Sequence, residues 1–257
     1  MHEDAYFSIS RLQGSHWWHQ ARAELSENII RKYLVEENPV CLDLGCGPGG
    51  LLNLYKSLNS KLVIGLDVSP IALKLSRAEC PDARLIAADL NSFLPFSEDS
   101  FDVVSIFGVL YHEWINDECG VLSEVARVLK PNGLLLLVEP SFPILERNAD
   151  AYVMGARRYR LKQIEKFISQ TELITQWSSY FSAFAFPIAL LIRWVEAIIG
   201  RKNNTDHTES ADMKPVSPLL NKFFLALARL ENSIFARGGR MPFGVTLIIA
   251  ARKKEMK

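Results

Sequence analysis

Residues 43–49 read Asp-Leu-Gly-Cys-Gly-Pro-Gly. An acid followed by the alternating glycines Gly45, Gly47 and Gly49 suits a turn where the backbone bends sharply and a ligand lies close against it, since a Cβ would block both. The apolar run Val40 to Leu44 before it suits a strand covered on both faces. The stretch from Gly50 to about Leu58 suits a helix whose N-terminus points at whatever the turn holds. Asp67 ends a second apolar run, 18 residues after Gly49, where a carboxylate can reach ribose hydroxyls. A third run, Arg84 to Ala88, is followed by Asp89 and Leu90. This pattern points to a nucleoside-bearing ligand. Gly50 also supplies the third glycine of a dinucleotide fingerprint, so an NAD-dependent oxidoreductase is the alternative on spacing alone.

Other residues offer chemistry around such a ligand. Tyr111 and His112 lie just past the run Phe101 to Phe107, and an imidazole of ordinary pKa, near 6–7, can take a proton from an acceptor. They are the candidate catalytic pair. Trp17 and Trp18 cannot both face one core from a helix, so one is free to cover a ligand or a neighbouring surface. Arg22, Arg157 and Arg158, with Tyr159 beside them, are candidates to bind an anionic part of a substrate. The four cysteines form no CxxC pair, and no His/Cys/Asp cluster suggests a metal.

The surrounding pattern says which elements must position these groups. Ala21, Leu25, Ile29 and Leu34 predict a helix within 16–35. Ser69-Pro70 is a helix start with its cap and first-turn proline. Val121, Leu122, Val125, Val128 and Leu129 mark an amphipathic helix that ends at Lys130-Pro131-Asn132-Gly133. Leu134 to Glu139 is a leucine-rich strand, expected to be central. Leu161, Ile164, Phe167 and Ile168 predict another helix, and Glu172 to Ser178 a sixth strand. Ala183 to Ile199 reads as an apolar helix interrupted by Pro187, Arg201 to Pro215 as a polar mobile stretch, and Leu220 to Ile234 as a second amphipathic helix. A last strand is expected over Val245 to Ala251. Strands alternating with helices predict a doubly wound parallel sheet.

The formal net charge is zero, which gives no electrostatic case for nucleic acid as a partner, and the hydrophobic share of 49% supports a sizeable core. The N-terminus lacks a basic region followed by an apolar core, so no signal peptide is expected. Leu173 to Ile192 carries no charge but holds Thr175, Gln176, several serines and Pro187. It reads as a strand and an apolar helix, fitter for peripheral contact with lipid than for crossing a bilayer. A reduced, cytoplasmic protein follows, with peripheral contact at the inner face of the membrane through 181–199.

DLGCGPG, VIGLDVS, AADL, LPFSEDSFDVV, the VLYH after the fourth strand, EVARVLKPNGLLLLVEP and the terminal strand with its basic end resemble, in order, the motifs of the class I S-adenosylmethionine (SAM) methyltransferases. SHWWHQAR, GARRYR and the MPFGVTLIIAARK tail resemble a bacterial subgroup whose suggested substrates include polysaccharide and lipid-linked intermediates. Ala156, Gly108 and Tyr111 depart from that subgroup, which usually carries a histidine at the first position and acids at the others. The resemblance implies a Rossmann-like α/β fold: seven strands, the last antiparallel, helices on both faces, and an inserted helical cap. The expected divisions are 1–39, an N-terminal helical segment; 40–180, the SAM-binding core; 181–243, the cap; and 244–257, the last strand and basic tail.

It further implies SAM as cofactor, with Gly45, Cys46, Gly47 and Gly49 along its methionine part and Asp43 orienting that loop or reaching the amino group. Asp67, with Val68, would take the ribose hydroxyls, and Asp89, with Leu90, the adenine. Phe107 or Gly108 would offer a carbonyl at the methionine end. Trp17 and Trp18 could then close over the sulfonium or an apolar acceptor. The implied activity is methyl transfer to a small-molecule or lipid- or glycan-linked acceptor. A non-catalytic SAM-binding partner subunit is a further alternative.

Overall fold

A computed structural model describes residues 1, 3–146, 150, 153–198 and 215–255. Its centre is a seven-stranded sheet in the order β3-β2-β1-β4-β5-β7-β6. The strands are β1 (Val40–Leu44), β2 (Leu62–Asp67), β3 (Arg84–Ala87), β4 (Phe101–Phe107), β5 (Leu129–Pro140), β6 (Leu173–Phe181) and β7 (Thr246–Lys253). β1 to β5 pair in parallel, and β7 runs antiparallel to both β5 and β6. The leucine run explains the centre: Leu134, Leu135, Leu136 and Leu137 are fully buried and sit between β4 and β7.

The helices are α1 (Glu3–Leu12), α2 (Trp17–Tyr33), α3 (Leu52–Ser57), α4 (Pro70–Glu79), α5 (Glu118–Val128), α6 (Leu161–Ser169), α7 (Phe186–Ile198) and α8 (Pro218–Ala236). One face of the sheet is covered by α5 and α6, through Val121, Val125, Ile164 and Ile168. The other is covered by α2, α3 and α8, through Leu25, Ile29, Leu52, Tyr55 and Phe235. Strand order reverses between β1 and β4, and in such sheets the crevice at the carboxyl ends of the strands is where ligands bind.

Several boundaries differ from the sequence reading. The helix after the glycine turn starts at Leu52 rather than Gly50, beyond a turn in which Gly45, Gly47 and Gly49 all hold positive φ. β6 extends to Phe181 because β7 pairs with it along that whole length. Pro187 does not interrupt α7. It sits in the first turn, where a missing N–H costs no helical bond. α1, which the sequence reading did not assign, is a helix with Glu3 and Asp4 in its first turn and Ala5, Tyr6 and Ser8 buried. The polar stretch expected to be mobile lies, over 201–214, outside the described residues.

α8 is fixed to α2 by polar contacts along its length. Asn221 accepts from Trp17 N at 2.7 Å and donates to Ser15 O at 2.9 Å, Arg229 pairs with Glu24 at 2.6 Å, and Asn232 donates to Ala21 O at 3.1 Å. The buried Glu231 accepts the Ala183 N–H just beyond β6, and burial pushes its carboxyl up to about 7. Among the described residues no helix is long and apolar enough to cross a membrane.

Candidate active site

The carboxyl ends of β1, β2, β4 and β5, together with α1, α2, α7 and α8, enclose one cavity of about 560 Å³. That is within the range of roughly 300–1,000 Å³ typical of small-ligand sites. Its floor is the glycine turn. A Cβ on Gly45 (φ +69°) would stand 2.5 Å from a Val109 methyl, so glycine is required there by packing and by conformation. Gly47 (φ +52°) is different, because the space where its Cβ would stand is open. It is the point where backbone is bared to the cavity. Gly49 does not line the cavity and packs on Ser76.

Asp67, at the end of β2, braces this turn. Its Oδ2 accepts from Gly47 N at 2.9 Å and its Oδ1 from Ser69 N at 2.8 Å. Burial raises its pKa, and the backbone donors oppose that shift. Asp43 is deeply buried, and its Oδ1 accepts from Ser105 Oγ at 2.5 Å, which in turn accepts from Tyr55 OH at 2.6 Å. Burial pushes Asp43 up to about 7, against the Ser105 hydrogen bond and the nearby Arg22 charge. Arg22 lies over the Trp18 ring at 4.3 Å and the Phe107 ring at 5.4 Å. It therefore stands at the glycine-turn end of the cavity, between two aromatic faces and a carboxyl. Cys46 lines the same end and Val68 is exposed at its rim. Asp89, exposed, accepts from Asn91 N at 2.9 Å, and Asn91 reaches across to Trp114 O at 2.8 Å, tying Asp89 and Leu90 to the loop after β4.

That loop follows Phe107 and Gly108, both in the cavity wall. Glu139, absent from the sequence-derived site, holds it. The carboxylate is fully buried at the end of β5 and accepts from the N–H groups of Val109 (3.0 Å), Leu110 (2.9 Å) and Tyr111 (3.3 Å). Burial outweighs these donors and pushes it up to about 8. The available signal was an acid closing a run of leucines at the ligand edge of the sheet.

Tyr111 and His112 do reach the cavity. The His112 ring is stacked on Trp114 (3.9 Å, 16°), with the Tyr111 ring 4.1 Å away. Its Nδ1 lies 3.3 Å from Met154 O. A carbonyl only accepts, so the proton is on Nδ1 and Nε2 carries the lone pair. Burial pushes the pKa down to about 3. A titration near pH 6–7 is thus not what this environment gives, and the ring stays neutral across the physiological range. His112→Gln should therefore cost less than about tenfold in turnover and leave the rate–pH profile between pH 6 and 8 unchanged, below the roughly 10²–10⁴-fold range of general acid–base catalysis. A loss inside that range, with an inflection removed from the profile, would contradict this.

The GARRYR block divides. Arg158 lines the cavity, and its Nε and Nη2 form a bidentate pair with Asp150 at 2.7 and 2.8 Å. Arg157 and Tyr159 are outside the cavity. Arg157 donates to His112 O at 2.8 Å, and the Tyr159 hydroxyl sits between Leu110 O (2.8 Å) and Glu118 Oε1 (2.9 Å). Both brace the backbone of 110–112 rather than face a ligand. Trp17 and Trp18 both line the cavity at different ends: Trp18 lies under Arg22, whereas Trp17 packs with Phe184 (5.5 Å) and Phe224 (5.4 Å). Tyr6 and Ile9 of α1, with Gln13 just past its end, close the cavity over the turn. Burial pushes the Tyr6 phenol up to about 12, with Asp67 adding to the shift.

Residues 42–137 match the family model described as a methyltransferase domain. The chain is 31% identical over 178 residues to the demethylmenaquinone methyltransferase of Tropheryma whipplei (strain Twist), covering 66% of this chain and 69% of that protein. Its fold is similar to that of an S-adenosylmethionine dependent methyltransferase from Mesorhizobium loti (TM-score 0.57, 18% identity, 88% of this chain and 96% of that one). It is also similar to phosphoethanolamine N-methyltransferase 2 of Haemonchus contortus, solved in complex with SAM (TM-score 0.61, 20% identity, 99% of this chain and 58% of that one). With a glycine turn and two acids at the strand ends of a β3-β2-β1-β4-β5-β7-β6 sheet, the chain belongs to the class I SAM-dependent methyltransferases.

Proposed function

We propose that this enzyme methylates a small-molecule or lipid- or glycan-linked acceptor whose reacting atom sits between the β4 loop and α2, with α7 and α8, the described helices of residues 181–243, forming the cap over it. The observation that carries this reading is the continuity of the cavity. A single space runs from the bared backbone at Gly47 to the apolar side chains of α7 and α8. The residues present fit SAM. Gly47 offers an open cradle, the Asp67 carboxylate has two oxygens for a pair of ribose hydroxyls, and Asp89 and Leu90 flank the place for the adenine. The Phe107 and Gly108 backbone, Asp43 and Arg22 fall to the methionine end. When bound, SAM supplies an activated methyl group on a sulfonium.

The protein's own contribution is placement and exclusion of water. α1 closes one side of the cavity and α7 and α8 the other. Holding an acceptor in line can lower a barrier by roughly 7–11 kcal/mol. His112, neutral and fixed, acts as a hydrogen-bond acceptor that orients the acceptor rather than as a titrating base.

The T. whipplei relative is named for an apolar quinone, in keeping with an apolar acceptor here. The outward face of α7, with Leu191 58% and Trp194 63% exposed, is suited to peripheral contact with a membrane. The test is transfer of labelled methyl from SAM to a cell extract split into organic-soluble and aqueous fractions. Label should enter an organic-soluble product. Label confined to aqueous products would overturn the apolar-acceptor reading.

A further inference from the structure

The cavity is sharply divided in polarity. At the sheet, its wall carries Arg22, Glu139, Arg158 and Thr246. At the cap end the lining residues Phe184, Ile188, Ala189, Ile192, Val216 and Phe224 are all apolar. Positions 188, 189 and 192 are spaced as one face of α7, so this helix turns a continuous apolar stripe inward. Trp17, Phe184 and Phe224 stand as three aromatic walls, with the Phe184 and Phe224 rings stacked at 6.1 Å and 18°. Ala189 is the small member of the stripe and leaves the width open. Ile188 and Ile192 line the cavity and are 49% and 40% exposed, so their side chains offer accessible apolar surface to whatever occupies this end.

We propose that this end is a gallery for the hydrocarbon chain of an amphiphilic acceptor, which lies with its polar, methyl-accepting head at the sheet and its chain along the apolar stripe of α7. The proposal deepens the reading of an apolar acceptor and rests on it. Its physical basis is that, among the described residues, the lining contributed by Phe184, α7, Val216 and Phe224 is entirely apolar. Such a wall gives a chain nothing but apolar burial, and it penalises any polar substituent that must lose water there.

The test uses the full chain saturated with SAM and a series of straight-chain primary alcohols from hexanol to decanol as probes, followed by calorimetry. Affinity should rise about fourfold per methylene, the equivalent of ~0.8 kcal/mol per buried CH₂. Ala189→Trp, which fills the gallery, should abolish the dependence on chain length while SAM affinity stays at the parental value, which also checks that the variant is folded. Ile192→Ser, a milder change, should weaken binding of the longer alcohols by severalfold. Leu191→Gln with Trp194→Gln, on the outward face, should leave the series intact. Affinity independent of chain length would overturn the proposal, as would a dependence that survives Ala189→Trp and disappears in the outward-face variant. If the alcohols fail to bind while label still enters an organic-soluble product, the gallery is wrong and the acceptor reading stands. Label confined to aqueous products would remove both.

Discussion

Gly47→Arg is expected to abolish SAM binding, with a loss of more than about 100-fold in affinity. Two effects act together. The backbone there has φ +52°, a conformation that costs a residue with a Cβ roughly 1–2 kcal/mol. The side chain would also project into the space that is open above the turn. Gly47→Ala separates the two. Its Cβ has no atom within 4 Å, so it carries the conformational cost without filling the crevice. Alanine should therefore lower thermal stability by a few degrees and SAM affinity by less than about tenfold. Calorimetric titration of both variants checks this, and parental affinity in Gly47→Arg would place the cofactor elsewhere.

Glu139→Leu is expected to destabilise the protein severely and to remove turnover. Three successive N–H groups of a buried turn would lose their acceptor, and each buried unsatisfied donor costs about 1–3 kcal/mol. The total is a large part of a domain stability of roughly 5–15 kcal/mol. The same turn carries Gly108, Tyr111 and His112 into the cavity, so its loss would also disorder the wall next to the acceptor. Glu139→Gln keeps Oε1, which takes the two shorter bonds, and should remain folded and active. The carboxyl also predicts a pH signature. Its folded pKa, about 8, lies above the ordinary glutamate value, so its contribution is fully present in acid and is lost as pH rises from about 4 through 8. The stability of the parent relative to Glu139→Gln should fall between pH 5 and 8.5. Urea denaturation at both pH values measures it. A Glu139→Leu protein within about 0.5 kcal/mol of the parent would refute the role.

The parts of this site that were legible in the sequence are those whose signals are local. The glycine turn, the acids at strand ends and the leucine run of β5 each declare themselves within a few residues. Their relative positions then follow from the sheet order. What was not legible depends on long-range partners. Arg157 looks like an anion-binding residue in GARRYR, but its acceptor is the His112 carbonyl, 45 residues away. His112 looked like a titrating base because ordinary imidazole titrates near neutrality. Only the Trp114 and Tyr111 rings packed beside it reveal the burial that moves it. α1 is not legible because its register matters only once it lies over the turn, where Tyr6 and Ile9 line the cavity beside Gln13. Glu139 could be seen as an acid at the sheet edge, but its three donors come from the 109–111 turn, about 30 residues earlier.

The central claim is that the crevice framed by Gly47 and Asp67 at the ends of β1 and β2 holds SAM. Its most direct test is calorimetric titration of the purified parent and of Asp67→Ala with SAM, and of the parent with NAD. The parent should bind SAM and not NAD. Asp67→Ala should bind SAM about 1–3 kcal/mol more weakly, a five- to 150-fold loss, the scale of lost charge-assisted hydrogen bonds. Binding of NAD in place of SAM, or unchanged SAM affinity in Asp67→Ala, would contradict the account.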